Sequence, residues 1–179
     1  MKVDIYDTEN KYGIIYADPA WRYDDKSCSG NCADHYNTMS VEEICNLPVK
    51  NIADKDCILF MWVTYPMLQE GLDVMKAWGF TYKTIGFQWL KQNKTGNGYF
   101  FGLGRWTRGN TECCLIGTKG KPKRVSDRVS QLIISPIENH SKKPDCTRKK
   151  IEMLCGCLPR IELFARQTTD GWDCWGNEI

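Results

Sequence analysis

The segment YADPAW (16–21) places an acid, a proline, a small residue and a large aromatic ring within four consecutive positions. It overlaps KYGIIY (11–16), a short apolar segment that is typical of a buried strand. Asp and Pro are common where strands stop, so Asp18 taken alone is compatible with a turn. A turn does not explain why a carboxylate, a rigid carbonyl and a flat ring occur together.

These three groups together would form a receptor for a planar aromatic amine. The exocyclic amine of adenine is a poor nucleophile, because its lone pair is delocalised into the ring. Two acceptors, the Asp18 carboxylate and the Pro19 carbonyl, would free that lone pair and stabilise the positive charge that develops during alkylation. Trp21 would stack on the base, a contact worth roughly 1–3 kcal/mol elsewhere. A base inside a duplex cannot reach such a site, so it must be flipped out or single-stranded.

The surrounding pattern predicts an α/β fold. Five more segments are predicted strands: 56–64, 81–91, 112–119, 132–137 and 161–166. Three segments are predicted helices: 40–48, 67–79 and 143–156. Ser40 and Glu43 form a capping box at the first helix. The second helix is predicted from apolar residues at helical spacing: Leu68, Leu72, Met75 and Trp78.

The alternation of strands and helices indicates βαβ units, hence a mostly parallel sheet with helices on both faces. Ligands in such sheets lie beyond the carboxyl ends of the strands, where the strand order reverses. Asp18 and Arg166 both follow predicted strands. We therefore expect both residues at the edge of the sheet where chemistry is done.

Length and composition favour one ordered domain, 1–179, since 179 residues with 42% apolar content can bury a sizeable core. A net charge of +2 does not mark a strongly basic nucleic-acid binder. Basic residues nevertheless cluster at 119–128 and 142–150, which weakly favours a phosphate-binding surface. The charged amino terminus and the lack of a long apolar run predict a cytoplasmic protein with no membrane contact.

The ten cysteines are expected to be reduced thiols, since no secretory signal is visible. Cys28, Cys32 and His35 have the spacing of part of a zinc site, but a fourth ligand is not evident, so no metal is expected. Two cysteine pairs in apolar stretches are predicted to be small core residues: Cys113 with Cys114, and Cys155 with Cys157.

DPAW (18–21) resembles the DPPW motif of the adenine 6-amino methyltransferases that use S-adenosylmethionine, in particular the branch with the catalytic subunit of the mRNA adenosine methyltransferase. Further segments resemble that family's blocks in its order: HYNTMSVEEI, LFMWVT, KAWGF, HSKKPD, RKKIEMLCGCLPRIELFAR and GWDCWGNE. Ala20 replaces the family's usual second proline. Because the receptor needs the Pro19 carbonyl and not a second ring, we expect activity to survive this change.

The resemblance implies a Rossmann-like methyltransferase fold, S-adenosylmethionine as cofactor and DPAW as the catalytic segment. Lys143 would pair with the methionine carboxylate, and Asp18 would also receive the ammonium of the donor. The remaining implied cofactor residues are Arg166, Thr168, Thr169, Asn177 and Glu178. Asn177 and Glu178 can act only if the carboxyl-terminal tail is docked, with Trp172 and Trp175 as its anchors.

On the substrate side, Tyr36 matches a family loop tyrosine and would close the polar loop 22–37 over the substrate. Glu112 is expected to face the substrate. The basic segment 119–128, with Lys121, Lys123 and Arg124, and the aromatic loop 93–110 are the predicted nucleic-acid surface.

Several functions stay open from the sequence. The short chain resembles solitary DNA-modifying enzymes of bacteria and phages, with a homodimer as an open option and RNA as the runner-up substrate. A catalytically silent nucleic-acid-binding partner in a heterodimer is a second alternative, and a small zinc-bound interaction protein is a third. A link to restriction-modification cannot be read from the residues.

Overall fold

The computed structural model describes residues 1–22, 38–104, 106–139 and 141–179. In these ranges the strands are β1 Tyr12–Ala17, β2 Ala53–Val63, β3 Thr81–Gln92, β4 Thr111–Lys119, β5 Leu132–Pro136, β6 Arg160–Leu163 and β7 Asp173–Trp175. The α-helices are α1 Val41–Cys45, α2 Val49–Ile52, α3 Leu68–Ala77 and α4 Cys146–Cys155. A short 3₁₀ turn, Tyr65–Met67, precedes α3.

The seven strands form one sheet in the order β5-β3-β4-β2-β1-β6-β7. β1 pairs in parallel with β2 on one side and with β6 on the other. β4 is the exception in direction, because it is antiparallel to both β2 and β3. The predicted mostly parallel α/β fold is confirmed. The chain leads from β1 to β2 on one side, whereas β6 and β7 lie on the other side of β1. The strand order therefore reverses between β1 and β6, next to Asp18.

The two faces of the sheet carry separate cores, because alternate residues of β1 point to opposite sides. Ile15 and Ala17 belong to the core that contains Ile44 of α1. Ile14 and Tyr16 belong to the core that contains α4. All these β1 side chains are at most 2% exposed, so the strand that ends at Asp18 is firmly held.

The first predicted helix boundary is confirmed in detail. The Ser40 hydroxyl accepts from the Glu43 backbone N–H at 3.2 Å, and the Glu43 carboxylate accepts from the Ser40 backbone N–H at 2.7 Å. The Trp78 indole N–H donates to the Ile44 carbonyl at 2.9 Å and ties α3 to α1. Leu68 was predicted to face the core with the other apolar residues of α3, but it is 38% exposed because it lies at the first residue of the helix.

The carboxyl-terminal tail is docked, as its predicted function requires. β7 was not predicted, yet it extends the sheet beyond β6. Trp172 is buried and its indole N–H donates to Glu152 at 2.7 Å. Trp175 packs edge-on against Phe164, with ring centroids 5.5 Å apart. Both predicted anchors therefore contact the body of the protein.

Cysteines in the described ranges are free thiols, and Cys113, Cys114 and Cys155 are buried as predicted. The prediction for Cys157 is wrong: it is exposed, because it lies in the turn between α4 and β6. In the same ranges no cluster of ligating side chains could hold a metal ion, and no helix is long and apolar enough to cross a membrane. Cys28, Cys32, His35 and Tyr36 lie outside the described residues.

Candidate active site

A cleft of about 340 Å³ opens at the carboxyl ends of β1 and β6. Its walls come from the end of β1, from α4 and the segment before it, from the end of β6 and from the tail. The lining residues are Tyr16, Asp18, Asn139, Lys142, Lys143, Arg148, Glu162, Phe164, Arg166, Gln167 and Glu178. This volume is at the lower end of the range for small-molecule sites, roughly 300–1,000 Å³.

Asp18 follows β1 directly and is held by a lysine from a distant part of the chain. The Lys143 ammonium lies 2.9 Å from each carboxylate oxygen of Asp18. Burial raises the pKa of Asp18 above its ordinary value, and the Lys143 charge only partly offsets this effect. Asp18 is thus an acceptor that binds a proton more readily than an exposed aspartate does.

Two further charges extend this contact into what we call the Asp18 network: Asp18, Lys143, Glu112 and Lys91. Glu112, on β4, lies 3.4 Å from the Lys143 ammonium and also pairs with Lys91 of β3. Burial alone would lower the pKa of Lys143, yet the two carboxylates more than offset it, so this pKa is raised. Burial would raise the pKa of Glu112, yet the two lysines lower it. Glu112, which was predicted to face the substrate, thus pairs with two lysines, Lys91 and Lys143.

The turn after Asp18 presents backbone carbonyls in defined directions. The Pro19 carbonyl accepts from the Trp21 backbone N–H at 2.9 Å, and the Ala20 carbonyl accepts from the Met39 backbone N–H at 2.9 Å. A carbonyl oxygen has two lone pairs, so the Pro19 oxygen retains capacity for a second donor. The Pro19 carbonyl can therefore serve as the second acceptor.

The structure does not give Trp21 the open ring face that a stacking role needs. Its side chain is only 6% exposed, and its indole N–H donates to the Trp62 carbonyl at 3.3 Å. Trp21 packs in the core beside β2 and holds the turn through its own backbone N–H, and its contact with a substrate base stays a prediction.

A buried ion pair that we did not predict lies at the floor of the cleft, and we call it the Arg148 pair. Arg148 of α4 donates to Glu162 of β6 through two bonds of 2.7 and 2.8 Å. Burial raises the pKa of Glu162 although Arg148 opposes the shift. The sequence signal was available, because Glu162 is an acid inside the otherwise apolar strand IELF (161–164).

The predicted cofactor residues divide into two groups. Arg166 and Glu178 line the cleft with Asp18 and Lys143, and the Arg166 guanidinium lies 3.5 Å from the Glu178 carboxylate. The others do not line it: Thr168, Thr169 and Asn177. Thr168 and Asn177 are exposed. The cofactor roles of these three residues stay predictions.

The basic residues predicted to contact the nucleic acid lie at the opposite end of the strands from Asp18. Glu112 of the Asp18 network is the second residue of β4, which runs antiparallel to β2, so Lys119 at the other end pairs with Cys57 near the start of β2. Nine residues of strand span about 27 Å. Lys121, Lys123 and Arg124 follow that distal end, so they are remote from Asp18.

Comparison with known proteins gives one family. The family model described as MT-A70 matches residues 12–178. The type II methyltransferase M.MunI of Mycoplasma sp. is 36% identical over 94% of this chain and 78% of its own length. The N(6)-adenosine-methyltransferase MT-A70-like protein of Arabidopsis thaliana is 29% identical over 100% of this chain, and the human catalytic subunit METTL3 is 28% identical over 94% of it.

The chain spans 25% of the Arabidopsis protein and 28% of the human one. These matches confirm the predicted family resemblance and, with it, the methyltransferase fold and S-adenosylmethionine as the family's methyl donor.

Proposed function

Since the chain belongs to the MT-A70 family of adenine methyltransferases, we propose that it transfers a methyl group to the 6-amino group of adenine in DNA. One observation carries the proposal. The Asp18 carboxylate lies at the strand-order reversal of the sheet, beside the Pro19 carbonyl and on the wall of the cleft. The Asp18 carboxylate thus adjoins the space in which a methyl donor would bind, and the Pro19 carbonyl follows it in the next residue.

The Asp18 carboxylate and the Pro19 carbonyl would each accept one N–H of the target amine. Together they hold the nitrogen lone pair toward the cleft and stabilise the charge that forms on nitrogen. When Asp18 turns to the target amine, Lys143 still has a carboxylate partner, because it also pairs with Glu112. This direct displacement needs no nucleophilic side chain, so positioning and electrostatics supply the acceleration.

The proton of the alkylated amine needs an acceptor. Alkylation makes that proton acidic, and Asp18 already accepts from the same N–H. The raised pKa of Asp18 makes it a better proton acceptor than an exposed aspartate. Asp18 therefore both orients the amine and takes up its proton.

The side chains of the cleft fit S-adenosylmethionine in charge and shape. Lys142 and Lys143 match its carboxylate, Glu178 can accept from ribose hydroxyls, and the Phe164 ring offers an apolar face for its base. When bound there, the donor would supply a methyl group activated by a positively charged sulfur. Asp18 would in addition attract the donor's ammonium.

DNA is favoured over RNA because this chain covers a larger share of M.MunI than of the adenosine methyltransferases. The chain covers 78% of M.MunI, and type II methyltransferases modify DNA beside a restriction enzyme. The relatives named for adenosine share only 25% and 28% of their length with this chain, and their names keep RNA as the second candidate. A catalytically silent partner role is not favoured, because Asp18, Lys143 and Glu112 form a complete network.

A methyl-transfer assay tests the proposal. The purified protein with tritiated S-adenosylmethionine is offered unmethylated genomic DNA and, separately, total RNA, and each product is digested to nucleosides. We expect label in the 6-methyladenine nucleoside from DNA. Asp18→Ala serves as the catalytic control, and Tyr82→Ala, at the opposite edge of the sheet, serves as the matched surface control.

Each other result has its own meaning. Label only in the RNA product selects the second candidate. Label on cytosine, or no label from either polymer while the donor binds by calorimetry, contradicts the proposal.

A further inference from the structure

The connection between β3 and β4 projects from the same edge of the sheet as Asp18. Its base is a continuation of the two strands: the Phe100 backbone N–H donates to the Lys91 carbonyl, and the Lys91 N–H donates to the Asn110 carbonyl, both at 2.9 Å. Lys91 is itself part of the Asp18 network. The projection is therefore anchored directly at the candidate active site.

The outer part of this projection is a narrow tip, residues 102–104 and 106–109. Its arms are joined by the Gly102 backbone N–H, which donates to the Gly109 carbonyl at 2.8 Å. A Cβ at Gly104 would collide with the Thr107 carbonyl, and a Cβ at Gly102 would collide with the Gly109 carbonyl. Glycine at these two positions allows the arms to approach each other more closely than other residues would.

The tip and its base expose large apolar side chains to a degree that is unusual for a soluble surface. Trp106 is 99% exposed and Leu103 is 90% exposed, and the base adds Phe101 at 70% and Tyr99 at 51%. Isolated exposed apolar side chains are ordinary, but a contiguous group on one projection indicates an interaction site.

The charge of the projection indicates a polyanionic partner. Segment 93–110 contains three basic residues, Lys94, Arg105 and Arg108, and no Asp or Glu. Aromatic rings interleaved with basic side chains suit bases and phosphates together. A purely apolar protein groove would leave these charges without partners.

We propose that Trp106 and Leu103 act as a wedge that enters a DNA duplex and occupies the space left when the target adenine is extruded. Apolar side chains on narrow projections are suited to separating base steps, and a base cannot reach Asp18 without leaving the stack. This inference rests on the proposed function and adds how the duplex is opened. The wedge is needed for duplex DNA and not for single strands, in which the base is already unpaired.

The experiment compares kcat/KM for methyl transfer on one unmethylated genomic DNA, used both as duplex and after heat denaturation. Trp106→Ala and Leu103→Ala are measured beside Tyr82→Ala, which removes another exposed ring (43%) near the start of β3, at the opposite edge of the sheet. We expect Trp106→Ala to lower the value on duplex DNA about tenfold or more, and Tyr82→Ala to leave it unchanged. On denatured DNA both variants should match the wild type.

The outcomes separate the wedge from the proposed function. An equal loss on both substrates, or no loss on either, overturns the wedge while wild-type activity upholds the proposed function. A wild type that methylates only single strands also overturns the wedge. Absence of wild-type activity on any DNA overturns both. Sedimentation is run on the same samples: a dimer that Trp106→Ala dissociates would assign the tip to self-association and overturn the wedge.

Discussion

Two buried charge clusters line one cleft, and they differ in how their cation is held. In the Asp18 network a lysine ammonium is shared between two carboxylates, Asp18 at 2.9 Å and Glu112 at 3.4 Å. In the Arg148 pair a guanidinium holds one carboxylate through two parallel bonds of 2.7 and 2.8 Å. An ammonium is a point charge that can change partners, whereas a guanidinium fork matches a carboxylate in one geometry.

The difference indicates two roles. When Asp18 turns to a substrate amine, Lys143 keeps Glu112, so no buried charge is left alone. If Glu162 lost its place, Arg148 would keep only Asp145, whose side chain is 50% exposed. We infer that the Asp18 network can open during a reaction, and that the Arg148 pair holds α4 to β6 and keeps the cleft in shape.

The largest effect on stability is expected from Glu162→Ala. Removing one partner of a buried pair leaves the other charge uncompensated, which typically destabilises a protein by about 3–5 kcal/mol. Urea denaturation measures this change. Glu138→Ala is the control, because Glu138 pairs with Lys142 at a surface position and should change stability by less than about 1 kcal/mol. Equal losses of unfolding free energy in the two variants would contradict a structural role for the Arg148 pair.

Lys143→Met should weaken donor binding, and it should also lower stability because it leaves Asp18 and Glu112 without the cation that they share. Lys143→Met removes the cation that we assign to the donor carboxylate, a charge-assisted contact of about 1.5–3 kcal/mol, so the donor Kd should rise roughly 10- to 100-fold. Calorimetric titration with S-adenosylmethionine measures it. Lys149→Met is the control variant, because Lys149 is an exposed lysine of α4 that does not line the cleft. An unchanged Kd in Lys143→Met would restrict Lys143 to the pairing with Asp18.

The pH dependence of the rate should follow Asp18. The ionised carboxylate is required, so the rate at saturating donor and substrate should fall as the pH drops through a pKa above the ordinary value of 3.8. Lys143→Met removes a charge that lowers this pKa, so its acid limb should move to higher pH. If the acid limb of Lys143→Met lay at the same pH as that of the wild type, a group other than Asp18 would control the rate.

Stability should change in the opposite direction over the same window. A carboxyl group whose pKa is raised by folding binds its proton more tightly in the folded state, so its contribution to stability declines as the pH rises from 3.8 through the raised value. Denaturation of the wild type and Asp18→Asn across this range, with the difference taken at each pH, measures that contribution. A difference that is independent of pH would contradict the raised pKa.

The smallest effect is expected from the triple replacement of Lys121, Lys123 and Arg124 by Ala. These residues lie at the edge of the sheet away from Asp18, so kcat should stay within about twofold of the wild type. Any loss of DNA affinity should diminish as salt is added, because only counterion release is involved. A large fall in kcat would place this segment at the active site after all.

Much of the fold could be predicted because apolar runs and caps are local signals. β1, β2 and α1 were visible in that way. β7 was not, since it has three residues and follows a polar loop. The position of Lys121 was missed for a longer-range reason: the antiparallel direction of β4 is set by its pairing with β2 and β3. A parallel strand would have brought its end to the edge that holds Asp18.

Site residues could be predicted where a short sequence motif contains them. Contacts between residues that are far apart in the sequence could not be predicted. Asp18 and Lys143 were named separately, but they are 125 residues apart and only the fold shows that they pair. Trp21 was expected to be an open ring, and its orientation depends on a carbonyl 41 residues away, that of Trp62. Contacts at such separations follow from the packing of the sheet.

The central claim is that Asp18 serves the reaction and not the fold. The most direct measurement is the single-turnover methyl-transfer rate of Asp18→Ala with the donor already bound, taken beside the unfolding free energy of the same preparation. The account predicts a rate about 10²–10³-fold below the wild type, as for loss of other groups that stabilise developing charge, with stability within about 1 kcal/mol. A rate within a few-fold of the wild type would contradict it.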